Sequence, residues 1–374
     1  MSIFIQGVGA VTPLGTNAGE TWRMLCDGGQ APRVRLPGRM ADRDYFYCPV
    51  PAKFMEAARL PRLRRSSALS LAGVTAASDA IEDAGLEVGQ ELRKRCAVVF
   101  SICSGGVNYT RRFYHDVATQ GASIASPLLF TETVFNAPAS HVAALLGLDG
   151  KSYTLLGDSS VGLTAIHFAI QVLATDPELA YCLVVGTEEM DWLVSDAFGS
   201  WLMASRCDQF EVYGRRTGTV FGEGAGAVIL GREHGLRIAR SSAGRPFFAV
   251  REACSAAAEV LGEVISFGPP DLVISSANGT FADEVERRIF QDFCATAPVY
   301  AYKPALGEAL GASAVLQVVF ASLALRSKCL PGTLSSGTRL PSVNRKTMST
   351  KGSSRALVTV IGFNQQANAL MIAS

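Results

Sequence analysis

Charge is scarce in this chain. Asp, Glu, Lys and Arg together make 18% of the 374 residues, and 34 basic against 33 acidic side chains leave a formal net charge of +1. That balance excludes an extended nucleic-acid surface, because such binding rests on neutralising several phosphates with Lys and Arg. Histidine is rarer still, with four copies. The nine cysteines form no CxxC pair and no Cys/His ligand spacing, so no metal is expected, and an odd number cannot all pair within one chain. Reduced thiols in a cytoplasm fit best. No GxGxxG leads to an acidic residue at ribose distance and no GxxxxGK(S/T) occurs, so no nucleotide cofactor is expected. Long apolar runs are missing as well: Gln317 interrupts even the stretch 314–325, which leaves no predicted membrane span. The opening Met1-Ser2-Ile3-Phe4-Ile5-Gln6-Gly7 has no basic n-region and reads as a first strand rather than a secretory signal.

What is present is a large apolar fraction, 48%, in a chain long enough for two ordinary domains or one large two-part unit. Apolar runs at 96–100, 181–185, 225–230, 272–275 and 357–361 read as strands, and small-residue helical patterns alternate with them. That alternation predicts an α/β protein. Leu71, Val74, Ala77, Ile81 and Ala84 recur at three-to-four spacing before Gly85, which predicts an amphipathic helix over 69–86 covering a sheet. A turn-rich stretch at 234–245 divides a front part, 1–235, from a back part, 236–374, with no exact repeat between them. Two basic clusters, one of Arg59, Arg62, Arg64 and Arg65 and one of Arg339, Arg345, Lys346, Lys351 and Arg355, read first as solvated surface and second as docking for an acidic carrier protein.

Small residues crowd three junctions: Gly7-Val8-Gly9-Ala10, Ser104-Gly105-Gly106 and Gly222-Glu223-Gly224-Ala225-Gly226. The first continues into Val11-Thr12-Pro13-Leu14-Gly15, and the last, preceded by Phe221, has the form GEGAG. With Asn136-Ala137-Pro138-Ala139, Gly147-Leu148-Asp149-Gly150 and Gly186-Thr187-Glu188-Glu189-Met190 between them, their order and spacing resemble the β-ketoacyl synthase family, which condenses acyl and malonyl units on acyl carrier protein. The resemblance runs over almost the whole chain. It implies a thiolase-like fold, with two related βαβαβαββ halves (1–235 and 236–374) in a five-layered α-β-α-β-α arrangement. It also implies a dimer, paired through the strand that precedes the nucleophile.

The resemblance places a cysteine nucleophile and two histidines in the family's active members. Aligning Gly162-xx-Ala165-Ile166 with the family's GxxAI puts Ser159 at the nucleophile position. The run Asn278-Gly279-Thr280 stands where the family has HGT, and Lys303-Pro304-Ala305-Leu306-Gly307-Glu308 where it has KxxxGH. A serine hydroxyl is a weak nucleophile without a base. Asparagine cannot act as a general base, and a carboxylate opposes a developing enolate or oxyanion. The segment from Ile361 to Asn368 departs from the family's GFGGTN, which puts the gating and oxyanion roles near Phe363 in doubt. His167, about 12 Å along the helix from Ser159, is too far to be its base. His115, His141 and His234 read as structural, and Cys103 as a small core residue.

The pattern therefore predicts a retained scaffold without its chemistry. The leading reading is a chain-length-factor-like subunit that heterodimerises with an active ketosynthase and shapes its acyl channel around 110–114 and 128–135. Contact with acyl carrier protein would come through that partner, in polyketide, aryl-polyene or fatty-acid-like elongation. Two other readings are an acyltransferase or hydrolase using Ser159, with Glu308 as a base opposed by Lys303, and a homodimeric acyl-binding protein.

Overall fold

The computed structural model describes residues 2–39, 43–57, 66–208, 211–363 and 366–374. One large sheet dominates it. Its main strands are β1 (Phe4–Val11), β2 (Cys96–Ile102), β3 (Ser152–Leu156), β4 (Tyr181–Glu188), β5 (Gly224–Gly231), β6 (Leu236–Ser241), β7 (Leu272–Ile274), β8 (Val299–Tyr300), β9 (Arg355–Ile361) and β10 (Gln366–Ala373). Arg245–Pro246 adds a short strand beside β10. The spatial order holds one arrangement twice: β1-β5-β4-β2-β3 and β6-β10-β9-β7-β8. In each set two antiparallel pairs are followed by two parallel pairs. The sets join where β1 meets β6, through Phe4 with Arg237 and Ile5 with Leu236.

The helices that cover these strands are α1 (Ala68–Asp83), α2 (Val107–Gln120), α3 (Pro127–Thr133), α4 (Ala137–Leu146), α5 (Val161–Thr175), α6 (Trp192–Ser200), α7 (Val250–Ile265), α8 (Phe281–Phe293) and α9 (Ser313–Ser327). Alternation along the strands sorts buried side chains into layers. On β9, Ala356, Val358 and Val360 enter a central core with α5 and α9, while Leu357 and Ile361 pack with α7 and α8. On β5, Val228 and Leu230 face the same central core, while Ala225, Ala227 and Ile229 face α1 and α4. The result is five layers, with helices outside, between and outside the two halves of the sheet.

Close approach explains the first glycine motif. A Cβ at Gly7 or Gly9 would lie 2.1 Å from the carbonyl oxygen of Ala80 or Ala76, so α1 rests directly on β1. The helix expected over 69–86 forms, and Gly85 just beyond it takes a φ of 65°.

The central layer corrects one expectation. Residues Leu310–Ser327 are long and apolar enough to cross a membrane by length and composition, with mean hydropathy 1.5, but 83% of that stretch is buried inside the protein. Gln317 does not interrupt it. Its amide donates to the carbonyls of Ile274 (3.3 Å) and Thr359 (2.9 Å), so one polar residue is accommodated in an apolar core helix. Of the two basic clusters, Arg59, Arg62, Arg64 and Arg65 lie outside the described residues. In the other, Arg345 donates to the carbonyls of Gly337 and Val343.

Candidate functional site

The candidate residues follow the C-terminal ends of parallel strands, where α/β sheets place their ligand sites. Ser159 comes after β3, Asn278 after β7, Lys303 after β8, and Phe363 after β9. Asn278 and Lys303 meet on Glu308. Lys303 Nζ donates to Glu308 Oε2 at 2.6 Å and to the Ser276 carbonyl at 2.9 Å. Asn278 Nδ2 donates to the same Oε2 at 3.0 Å. The other carboxylate oxygen, Oε1, accepts Leu310 N–H at 3.0 Å and the Ser313 hydroxyl. A carboxylate offers about four lone-pair sites, and Glu308 has four donors on it. Lys303 and Glu308 are both 0% exposed.

Backbone conformation supports this arrangement. Leu310 holds a φ of 37°, a left-handed conformation that a branched side chain adopts only at a cost of about 1–2 kcal/mol. It turns the Leu310 N–H back onto Glu308. Asp283 fixes the Asn278 loop from the other side, with Oδ1 accepting Asn278 N–H (2.8 Å) and Gly279 N–H (3.0 Å), and Oδ2 accepting Tyr213 N–H (2.8 Å). Burial pushes the Asp283 carboxyl up to about 7 despite these donors. The Asn278 amide oxygen is taken by the Thr280 hydroxyl at 2.6 Å, so the amide cannot rotate freely.

Ser159 stands apart. It is fully buried just ahead of α5, and its Oγ has no hydrogen-bond partner. Its neighbour Asp158, which the sequence reading did not single out, accepts Ser160 N–H (2.9 Å) and the Ser160 hydroxyl (2.8 Å). A Cβ at Gly362 would lie 2.6 Å from the Asp158 carboxylate, so the two loops meet there. Phe363 is 7% exposed and packs edge-on against Phe198 at 5.0 Å between ring centroids, in a cluster with Phe221 and Leu310. Asn364 and Gln365 lie outside the described residues.

The remaining histidines and Cys103 take other places. His167 Nδ1 lies 3.2 Å from the Ser241 hydroxyl on β6, and burial lowers its pKa. His141 Nε2 pairs at 2.6 Å with Glu132, which is itself buried. His115 and His234 are exposed, not part-buried in the manner expected of structural histidines. Cys103 packs in the Phe363 cluster, and its thiol is pushed up by burial and then by Glu188, Asp158 and Glu308.

A group of buried acids escaped sequence reasoning. Glu188 accepts the N–H groups of Cys103, Ser104 and Gly311, and burial raises its carboxyl to about 7. Glu189 is raised to about 7 by burial, with Glu223 and Glu188 adding to it. Their signal was present: two acids directly at the end of the apolar strand β4.

Comparison with known proteins gives this geometry a family. Residues 1–235 match the family model described as the β-ketoacyl synthase N-terminal domain. The chain is 25% identical to 3-oxoacyl-[acyl-carrier-protein] synthase 2 of Coxiella burnetii, over 89% of this chain and 87% of that protein. It is also 25% identical to nodulation protein E of Rhizobium leguminosarum bv. trifolii, over 88% of each. Among solved structures, the ishigamide ketosynthase/chain length factor superposes with a TM-score of 0.86 at 17% identity, covering 100% of this chain and 99% of that one. The ketosynthase ApeO in complex with its chain length factor ApeC from Xenorhabdus doucetiae gives a TM-score of 0.84 at 18% identity, covering 100% and 98%. The fold is thiolase-like α/β, and the chain belongs to the β-ketoacyl synthase family.

Proposed function

We propose that this chain is a non-catalytic, chain-length-factor-like member of the family that heterodimerises with an active ketosynthase and shapes its acyl channel. Glu308 carries the reading. At the position where the family's pattern has its second histidine, a carboxylate is saturated by Lys303, Asn278, Leu310 N–H and Ser313, so it has no acceptor site left for a substrate proton. Asn278, at the first histidine's position, is bonded into the same network and is no base. Ser159 at the nucleophile position has no partner to take its proton. Asp158, beside both Ser159 and Gly362, adds negative charge where an oxyanion would need positive dipoles. Lys303 is a structural counter-ion here, and Phe363 a packed side chain rather than a gate. We read 1–235 and 236–374 as the two thiolase-like halves, supported by the repeated strand order.

The partner surface in this reading is the end of the sheet. β3 is its last strand, with β2 on one side and no strand on the other among the described residues. Leu156 at the C-terminal end of β3 is exposed, and so are Tyr114 on α2, Leu128 and Phe130 on α3 and Phe135 just after α3. An open strand edge offers a pairing surface, and exposed apolar side chains mark interaction sites. Two of the similar solved structures are of a ketosynthase with a chain length factor, the assembly proposed here. Acyl carrier protein would dock through the partner, in the cytoplasm, in polyketide, aryl-polyene or fatty-acid-like elongation, with no cofactor. The test is co-expression with candidate ketosynthases and purification through a tag on this chain. A one-to-one complex whose condensing activity survives Ser159→Ala supports the reading. A lone chain whose activity is lost with Ser159→Ala refutes it.

A further inference from the structure

A cavity walled by basic side chains lies outside the Lys303–Glu308 network. It is an open concavity of about 880 Å³ lined by six arginines: Arg215, Arg216, Arg251, Arg287, Arg288 and Arg339. They come from separate places in the chain, namely the loop after Tyr213, the start of α7, the middle of α8 and the loop before Leu340. Two acids line the same wall. Glu284 is held by Arg287 (2.8 Å) and Arg288 (2.8 Å), and Asp283 is turned onto backbone N–H groups. Glu211 stands nearby and accepts Arg215 N–H at 3.3 Å. Arg251 faces Glu252 at 3.7 Å. Among the described residues no carboxylate lies within ion-pair distance of Arg215, Arg216 or Arg339, and all three are exposed.

Like charges converging on a concavity repel one another, and a chain with a net charge of +1 has no general excess of base to explain them. Guanidinium forks match phosphate oxygens in bidentate geometry, and the volume is that of a small-molecule site. A flat basic face would suit an acidic helix, whereas this wall is concave. We propose that the cavity binds a small molecule carrying two or more phosphate groups, with Arg215, Arg216 and Arg339 as its principal anchors and Val250 and Phe281 as the apolar side of the site. Its floor reaches the Asn278 loop, since Thr280 and Asp283 both line the cavity and bond Asn278.

The experiment uses the full chain and inorganic tripolyphosphate as the probe, with orthophosphate and citrate at matched ionic strength, read by calorimetry and thermal melting. Tripolyphosphate should bind one-to-one, roughly tenfold or more tighter than either control. Arg215→Glu with Arg339→Glu should abolish that binding while leaving the melting temperature without ligand unchanged. Should that pair fold poorly, Arg215→Gln with Arg339→Gln should weaken binding in the same direction. Equal affinity for tripolyphosphate and either control, or undiminished binding by a folded double variant, overturns the proposal.

Discussion

Lys303 Nζ lies 2.6 Å from Glu308 Oε2, with both side chains fully buried. Each is the other's only charged partner at ion-pair distance among the described residues. Removing one leaves an uncompensated buried charge, which costs about 3–5 kcal/mol, whereas replacing both with apolar groups costs far less. Glu308→Ala alone should therefore lower the urea midpoint sharply, and Lys303→Met with Glu308→Leu should recover most of the loss. Additive losses in that cycle would show that the two residues do not act as a pair.

Ser159→Ala has the opposite expectation. A buried hydroxyl without a partner costs about 1–3 kcal/mol, so its removal should leave stability unchanged or raise it by up to that amount. Thermal melting of the variant decides this. A clear drop in melting temperature would mean that Ser159 makes a bond this structure lacks.

The buried acids make stability depend on pH with a defined sign. The carboxyl of Glu188 is raised from 4.5 to about 7, chiefly by burial. A carboxyl whose folded value lies above its unfolded one stabilises the fold below about 4.5, and that contribution is lost as pH rises through about 7. Glu188→Gln does not titrate, so its stability relative to the native chain should improve between about pH 5 and about pH 8, whatever constant offset the lost hydrogen bonds introduce. Urea midpoints at both pH values check it, and a pH-independent difference contradicts it.

Partner pairing should depend on the open edge. Leu156→Arg and Phe130→Glu change side chains that are 50% and 51% exposed, so each variant should fold with stability within about 0.5 kcal/mol of the native chain. Both should lose co-purification with the ketosynthase. Retained pairing by folded variants would move the interface elsewhere.

Much of this architecture is legible in the residues, for physical reasons that also explain what is not. Strands buried on both faces must be apolar throughout, so β2, β4, β5 and β9 announce themselves. The duplication is invisible because it lies in strand order and pairing sense, which many different apolar sequences satisfy. Asn278 and Lys303 each come after a strand end, and Glu308, just past the short helix Lys303–Leu306, is returned onto both of them. The pairing of His141 with Glu132 could not be read, since it depends on how α3 packs against α4. The arginine-walled cavity was equally hidden: its six arginines lie between Arg215 and Arg339 and converge only through the packing of α7 and α8.

Acyl loading tests the central claim most directly. The purified complex is incubated with an acyl thioester of acyl carrier protein, quenched, and each chain weighed intact by mass spectrometry. The account predicts an acyl adduct on the partner's nucleophile and none on this chain. An acyl adduct mapped to Ser159 would contradict it and make this chain a serine enzyme.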